Sequence, residues 1–128
     1  MTKPVALVTG AGRGIGRAIA LELAKDHAVA MNYAHSAQAA SEVVQTIEAA
    51  GGAAVALGAN IAVDADRQRL IDQTLGQWGR LDVLVNNAGI TSQGRKPVLE
   101  ATEESWDTVF NTNLKGQFII TQRTAREM

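Results

Sequence analysis

The chain has 128 residues, 46% of them hydrophobic, a formal net charge of −1 and no cysteine, which suits one domain with a sizeable core. The balanced charge argues against a nucleic-acid or anionic-membrane partner, and the lack of cysteine excludes disulfides and thiolate metal sites. Because no apolar stretch approaches the roughly 20 residues that span a bilayer and no signal segment opens the chain, we expect a cytoplasmic protein.

Short apolar runs alternate with amphipathic stretches along the chain. Such runs are typical of strands buried in a parallel sheet. In chain order, the predicted strands cover residues 5–8, 28–33, 53–59 and 81–85. A helix is predicted after each strand, because apolar residues there recur at helical spacing. The helical residues expected to face the sheet are Ile15, Ala18, Ile19, Leu23, Ala40, Val43, Val44, Ile47, Leu70, Ile71, Leu75, Trp78, Trp106, Val109, Phe110, Leu114 and Phe118.

Polar residues mark the starts of the last three predicted helices. Ser36, Asp64 and Thr102 each carry a side-chain oxygen that can accept hydrogen bonds from the free amides of a first helical turn. We therefore expect these three residues to be N-caps.

The order βαβαβαβα predicts an α/β fold, a doubly wound parallel sheet with helices on both faces and right-handed crossovers. No linker or low-complexity tract interrupts the pattern, so a single domain is expected over residues 1–128. In such folds ligands bind beyond the carboxyl ends of the strands.

The segment TGAGRGIG, residues 9–16, lies between the first predicted strand and the first helix. A glycine-rich turn there lets backbone amides approach a pyrophosphate closely, and the positive end of the helix stabilises its charge. The spacing matches neither G-x-G-x-x-G nor the phosphate loop G-x-x-x-x-G-K-[ST], but it fits T-G-x-x-x-G-x-G. The alternative is a tight strand-to-helix turn with no ligand.

A second segment, NNAG at residues 86–89, directly follows the fourth predicted strand. Asparagine side chains at a strand end can tie neighbouring loops together, and glycine permits a ligand to approach. A polar turn is the simpler interpretation of either segment alone. Because both segments follow parallel strands, we expect them to line one crevice.

These two segments and NTNLKG, residues 111–116, occur in the order and spacing of the short-chain dehydrogenase/reductase family, which the chain resembles over nearly its whole length. The resemblance implies a Rossmann-type fold and hydride transfer between a nicotinamide dinucleotide and a carbonyl or alcohol. It implies that Asn113 is the catalytic asparagine, which helps to hold a water in a proton relay; alternatively, Asn113 bends a long helix. The implied cofactor contacts are Gly10, Gly12, Arg13, Gly14, Ile15 and Gly16 in the turn, and Asn87, Ala88 and Gly89 on the adenosine side.

The segment after the second strand predicts NADPH rather than NADH as the cofactor. NAD sites usually offer a carboxylate to the ribose at this point, but residues 31–38 contain no acid, and Tyr33 stands where the family would place one. Arg13 can make a bidentate contact to the 2′-phosphate, and His35 and Ser36 can add hydrogen bonds. The alternative for Arg13 is a solvated surface arginine.

Asn60 and Ile61 follow the third predicted strand, where many family members have an aspartate beside the adenine. An asparagine followed by an aliphatic residue resembles the 3-oxoacyl-[acyl-carrier-protein] reductase branch, as does NYAHS at residues 32–36. The resemblance implies NADPH-dependent reduction of a 3-oxoacyl thioester to the 3-hydroxyacyl thioester in fatty acid synthesis, with a small-molecule or carrier-protein-bound acyl substrate. Branches that reduce sugars, steroids or small ketones share these motifs.

The family's reaction also needs a tyrosine as general acid, a lysine four residues later and a preceding serine. The only tyrosine is Tyr33, and Ala37 stands four residues after it. In the family these groups follow the segment that contains Asn113. We therefore expect the chain to be the cofactor-binding N-terminal half of a longer reductase, inactive alone; a naturally short, non-catalytic binding or assembly module is the alternative.

Family members commonly pair through the last helix, so a homo-oligomer is expected.

Overall fold

A computed structural model describes residues 3–90 and 93–128 of the protein. Its strands are β1 (Val5–Val8), β2 (Ala28–Tyr33), β3 (Ala54–Gly58) and β4 (Val83–Val85). They form a parallel sheet in the order β3-β2-β1-β4, with Leu7 of β1 aligned between Ala30 of β2 and Leu84 of β4. The parallel α/β architecture is confirmed, and the third and fourth strands are slightly shorter than predicted.

Helices connect the strands and cover the sheet on both sides. They are α1 (Gly14–Leu23), α2 (Ala37–Ala49), α3 (Asp64–Trp78), α4 (Glu103–Phe110) and α5 (Gln117–Glu127). A π-helical turn, Asn111–Gly116, joins α4 to α5, and two short 3₁₀ turns, Gln93–Arg95 and Val98–Glu100, precede α4. The predicted last helix therefore exists, but an extra residue per turn interrupts its hydrogen-bond ladder.

Two apolar layers hold the helices against the sheet. On one face, α3 and α5 cover Val5 and Leu7 of β1; on the other, α1 and α2 cover Val8 of β1 and Met31 of β2. The sheet residues alternate between these layers, as the two-residue period of a strand requires. Because β1 and β4 pair in parallel, with Val8 opposite Val85, their carboxyl ends lie side by side.

Two of the three predicted N-caps are confirmed. The Ser36 Oγ accepts a hydrogen bond from the Ala39 amide at 3.3 Å, and the Thr102 Oγ1 accepts one from the Ser105 amide at 3.0 Å. The prediction for Asp64 is wrong, because Val63 is the N-cap and Asp64 is the first residue of α3. A carboxylate in the first turn still stabilises the positive end of the helix.

The predicted buried face of α1 is wrong in part. Ile15 is 75% exposed and Ala18 is exposed, whereas Gly16 and Ala20 are buried. Small residues let the start of α1 approach the sheet closely. The four-residue spacing of the larger residues therefore marked the wrong stripe near the helix start.

The predicted buried face of the last helix is also wrong. The exposed apolar residues are Trp106, Phe110, Leu114 and Phe118, with Trp106 64% exposed and its ring stacked on that of Phe110 at 4.4 Å. The face that packs on the sheet carries Thr112, Gly116, Ile120 and Thr124. Because three of these four residues are small or polar, hydrophobicity alone indicates the wrong side.

At the amino-terminal ends of the strands, an ion pair between Arg80 and Asp82 connects the start of β4 to the start of β1. The Asp82 carboxylate accepts hydrogen bonds from the Arg80 guanidinium and from the Val5 amide, each at 2.8 Å. The Arg80 side chain, followed by the Val5 amide, holds the pKa of Asp82 below its ordinary 3.8. The carboxylate therefore favours the folded state only while it is ionised.

We expect the substitution Asp82→Asn to lower stability in a pH-dependent way. Because the folded pKa is depressed, the contribution of Asp82 is present above 3.8 and is lost as the pH falls through the folded pKa. Denaturant unfolding of both proteins should show a difference at pH of about 7 that shrinks as the pH is lowered below about 4. An equal difference at both pH values would contradict this assignment.

Candidate functional site

The turn after β1 lies directly against the segment after β4. Gly10 has φ +63°, a left-handed conformation that side-chain-bearing residues rarely adopt, and a Cβ there would lie 2.9 Å from the Ala88 Cα. At Gly16 a Cβ would overlap the Gly10 carbonyl oxygen and the Asn87 Nδ2. The missing side chains at these two glycines allow the contact between the turn and residues 86–89.

The Asn87 side chain stabilises this contact with a hydrogen bond. Its Nδ2 donates to the Gly10 carbonyl oxygen at 3.0 Å, so the predicted role of an asparagine that ties two loops together is confirmed for this residue. Asn86 instead donates to the Thr121 Oγ1 at 2.8 Å and connects the same segment to α5. The two neighbouring asparagines thus hold the segment from opposite sides.

Thr9 is a structural residue of the site that the sequence analysis included in a motif but gave no role. Its fully buried Oγ1 accepts hydrogen bonds from the amides of Asn87 and Ala88, both at 3.0 Å. The same hydroxyl donates to the Val85 carbonyl oxygen at 3.3 Å. One hydroxyl therefore pairs three backbone groups where β1 and β4 end, and a threonine directly before the first glycine was the available signal.

Asn32 is a second residue that the sequence analysis missed. It is 2% exposed, in a strand otherwise composed of apolar side chains and Tyr33. Its Oδ1 accepts from the Gly10 amide at 3.3 Å, and its Nδ2 donates to the Ala59 carbonyl oxygen at 3.0 Å. Asn32 therefore links the glycine turn to the end of β3, and a lone polar residue in an apolar strand was its signal.

The N terminus of α1 has the character of an anion site. Arg13 occupies the N-cap position in extended conformation, and its side chain makes no capping hydrogen bond. Helix α3 likewise begins without a side-chain cap, whereas Ser36 caps α2 and Thr102 caps α4. The first amides of a helix need acceptors and carry a partial positive charge, so the exposed end at Arg13 and Gly14 suits a phosphate group.

The predicted contacts at the end of β2 lie next to this helix end. A Cβ at Gly12 would be 3.6 Å from the Ala40 amide nitrogen and 3.9 Å from the Ser36 carbonyl oxygen, so the turn adjoins the start of α2. His35 and Ser36 are exposed there. The half-buried Tyr33 packs its phenol against Gly58, where a Cβ would lie 3.0 Å from the phenolic oxygen.

Asn60 and Ile61 begin the loop that follows β3. The exposed Asn60 accepts the Ala62 amide on its Oδ1 at 3.0 Å, and its own amide donates to the Asp66 carboxylate at 2.8 Å. The Asn60 amide is the main cause that lowers the pKa of Asp66. Ile61 is 3% exposed, and its side chain belongs to the core rather than to an open surface.

Asn113 lies in the π-helical turn and is bonded to the segment after β4. Its Oδ1 accepts the Ile90 amide at 2.8 Å, and its Nδ2 donates to the Ile90 carbonyl oxygen at 2.7 Å. Gln117, one turn later, donates to the Ala88 carbonyl oxygen at 2.8 Å. The structure therefore brings Asn113 and residues 87–89 together, and it places the glycine turn on the other side of the same segment.

The described part of the chain offers two further negative observations. None of its helices combines the length and hydrophobicity needed to cross a membrane. Within residues 3–90 and 93–128 there is also no group of histidine and acidic side chains able to hold a metal ion.

We expect Thr9→Val to loosen the contact between the two strand ends. Valine has a similar shape but leaves the Asn87 and Ala88 amides without their acceptor, which costs about 1–3 kcal/mol for a buried group. The free energy of unfolding should fall by this amount, and hydrogen exchange at residues 87 and 88 should quicken. Thr9→Ser keeps the oxygen and is the control; equal exchange at these amides in both variants would contradict the role of the hydroxyl.

The chain is similar in sequence to known reductases over its whole length. It is 49% identical over 130 aligned residues to the 3-oxoacyl-[acyl-carrier-protein] reductase FabG of Staphylococcus aureus, an alignment covering 100% of this chain and 51% of that protein. It is 44% identical to the short chain dehydrogenase/reductase AacuN of Aspergillus aculeatus, covering 97% of this chain and 47% of that protein. The chain thus spans about half the length of the curated relatives that it matches.

Solved structures give the same result for the fold. A short chain dehydrogenase from Burkholderia cenocepacia, crystallised with NADP, superposes with a TM-score of 0.92 at 38% identity, covering 99% of this chain and 51% of that one. A metagenomic blue fluorescent protein, crystallised with NADPH, superposes with a TM-score of 0.89 at 34% identity, covering 99% and 52%. The Rossmann-type fold predicted from the sequence is confirmed.

The family comparison covers almost every described element. The family model described as short chain dehydrogenase matches residues 4–128, which include both strand-end segments and the π-helical turn. Since the match extends over far more than half of the chain, the protein belongs to the short chain dehydrogenase family.

Proposed function

We propose that the protein binds NADPH across the carboxyl ends of β1 and β4, with the diphosphate on the first-turn amides of α1. The observation that carries this proposal is the N terminus of α1, which no Arg13 side-chain bond caps, at the end of a turn that packs on residues 87 and 88 because Gly10 and Gly16 lack side chains. A helix end without a side-chain acceptor is an energetically favourable position for a phosphate. The similarity of the fold to structures crystallised with NADP and NADPH supports the choice of cofactor.

Charge favours the phosphorylated dinucleotide in this proposal. Arg13 is exposed at the start of α1, and the end of β2 carries Tyr33, His35 and Ser36 with no carboxylate. A carboxylate there would repel a 2′-phosphate, whereas a guanidinium can bind it with two charged hydrogen bonds. We assign Arg13 to the 2′-phosphate, the turn amides to the diphosphate and residues 87–89 to the adenosine side.

The reaction that we propose is the reduction of a carbonyl in an acyl thioester. Bound NADPH supplies the hydride for such a reduction. The 49% identity to a 3-oxoacyl-[acyl-carrier-protein] reductase supports a 3-oxoacyl thioester as the substrate. Because the chain spans about half the length of that relative, the reduction is proposed for the protein expressed from its complete open reading frame.

Asn113 has the capacity that a proton relay requires. Its Oδ1 and Nδ2 are each bonded once, to the backbone of Ile90. An amide oxygen can accept a second hydrogen bond and an amide nitrogen can donate a second one. We propose that Asn113 fixes Ile90 and also binds a water at the catalytic end of the crevice. Tyr33 is not assigned as the proton donor, because it ends β2 on the opposite side of β1 from β4.

We also propose that the protein pairs with a second copy through α4 and α5. Trp106, Phe110, Leu114 and Phe118 are exposed on these helices and the turn between them, and contiguous apolar surface of this kind is typical of protein–protein interfaces. A homo-oligomer would bury these side chains.

We expect Arg13→Gln to weaken NADPH binding and leave NADH binding nearly unchanged. The loss of charged hydrogen bonds to the 2′-phosphate should raise the Kd for NADPH about tenfold or more. Fluorescence titration with both dinucleotides measures this, and Arg126→Gln, a change at an exposed arginine of α5, is the matched control. If the unmodified protein binds NADH as tightly as NADPH, the cofactor assignment is wrong.

The substrate class is tested by steady-state assay of the protein from its complete open reading frame. We expect NADPH oxidation with a 3-oxoacyl thioester and little turnover of sugars or steroids, because the relative with 49% identity carries the 3-oxoacyl reductase name. Turnover of a sugar or a steroid, without any turnover of the thioester, would reject the acyl substrate while leaving the NADPH site intact.

A further inference from the structure

Three charged side chains connect α3 to α5 outside the site described above. The Asp64 Oδ1 accepts hydrogen bonds from the Arg67 Nη2 at 3.0 Å and from the Arg123 Nη2 at 2.6 Å. Arg67 is 3% exposed, and Arg123 is partly buried on α5. Arg123, followed by Arg67, lowers the pKa of Asp64, so this carboxylate is ionised at neutral pH. We call these three residues the arginine clip.

The clip also reaches the loop after β3. The Arg67 Nη1 donates to the Ile61 carbonyl oxygen at 2.8 Å. Gly116, the last residue of the π-helical turn, packs on this carbonyl so closely that a Cβ would lie 2.5 Å from its oxygen. One arginine therefore holds the group against which the end of the π-helical turn is seated.

The opposite side of the turn is fixed by Asn113, which is bonded twice to Ile90. One residue inserted into an α-helix rotates all the following side chains by about 100° around the helix axis. A π-helical turn accommodates the extra residue and avoids this rotation. With α5 held through Arg123 and Asn113 held at Ile90, the chain between them must keep the π geometry. If α5 were released, the turn could relax toward α-helical geometry and draw Asn113 away from Ile90.

Stability alone is a poor explanation for the clip. The Arg67 Nε and the Arg123 Nη1 are buried and have no hydrogen-bond partner among the described residues. Unpaired buried donors are unfavourable, and an ion pair whose carboxylate is 66% exposed contributes little net stability. Such an arrangement is better suited to fixing one geometry among several, which is the best-attested use of buried polar groups.

We propose that Asp64, Arg67 and Arg123 are positioning residues that hold the π-helical turn in register and thereby keep Asn113 on Ile90. This inference rests on the proposed function only for its catalytic consequence. The geometric part concerns the link between α3, α5 and residues 86–90 and is independent of any cofactor.

The substitution Arg123→Gln tests the clip in the protein from its complete open reading frame. Arg67 still holds the Ile61 carbonyl in this variant, so the fold is expected to persist. Hydrogen–deuterium exchange, read by mass spectrometry, should be about tenfold faster in residues 86–90 and unchanged in β1. The kcat should fall about tenfold while the Kd for NADPH stays within about twofold. Arg126→Gln, on the same helix, should change neither.

A conservative variant separates positioning from general destabilisation. Arg123→Lys keeps a cation near Asp64 and should restore most of the protection of residues 86–90 and most of the kcat. Unchanged exchange in residues 86–90 of Arg123→Gln, or equally faster exchange throughout β1, would overturn the proposal. If the unmodified protein fails to bind NADPH, the proposed function is wrong, but the exchange measurement still decides whether the clip holds the turn.

Discussion

The site depends on how closely the chain after β1 approaches the chain after β4. Thr9 makes the approach favourable, since one buried hydroxyl pairs two amides and a carbonyl at the strand ends. Gly10 and Gly16 make it sterically allowed, because a Cβ at either position would meet residues 87 and 88 or the turn itself. Without both conditions, the turn and the NNAG segment could not pack against each other at the carboxyl ends of β1 and β4.

The same contact decides the electrostatics of the crevice. Once the turn is fixed by Asn87 and Asn32, α1 begins with its amides at the carboxyl end of the sheet and with no side chain to cap them. The backbone then supplies the positive potential, and Arg13 adds a full charge at its edge. The local backbone geometry, rather than the formal net charge of −1, therefore makes this helix end favourable for an anionic group.

Much of the fold and part of the site could be predicted from local sequence pattern. The strands, their parallel arrangement and the two strand-end segments follow from apolar runs and glycine spacing, which are local properties. The hydrogen bonds of Thr9 and Asn32 could not be assigned in this way, because their partners are distant in sequence and become neighbours only when β1 lies between β2 and β4. The face of the last helix was mispredicted because its buried side carries Thr112, Gly116 and Thr124, which hydrophobicity does not mark, while the large apolar side chains Trp106 and Phe110 are exposed.

A crystal structure of the protein with NADPH tests the central claim most directly. The account predicts diphosphate oxygens within about 3.2 Å of amide nitrogens between Gly12 and Gly16, with the 2′-phosphate beside the Arg13 guanidinium. A dinucleotide bound elsewhere, or a turn whose amides are occupied by protein acceptors while NADPH is present, would contradict it.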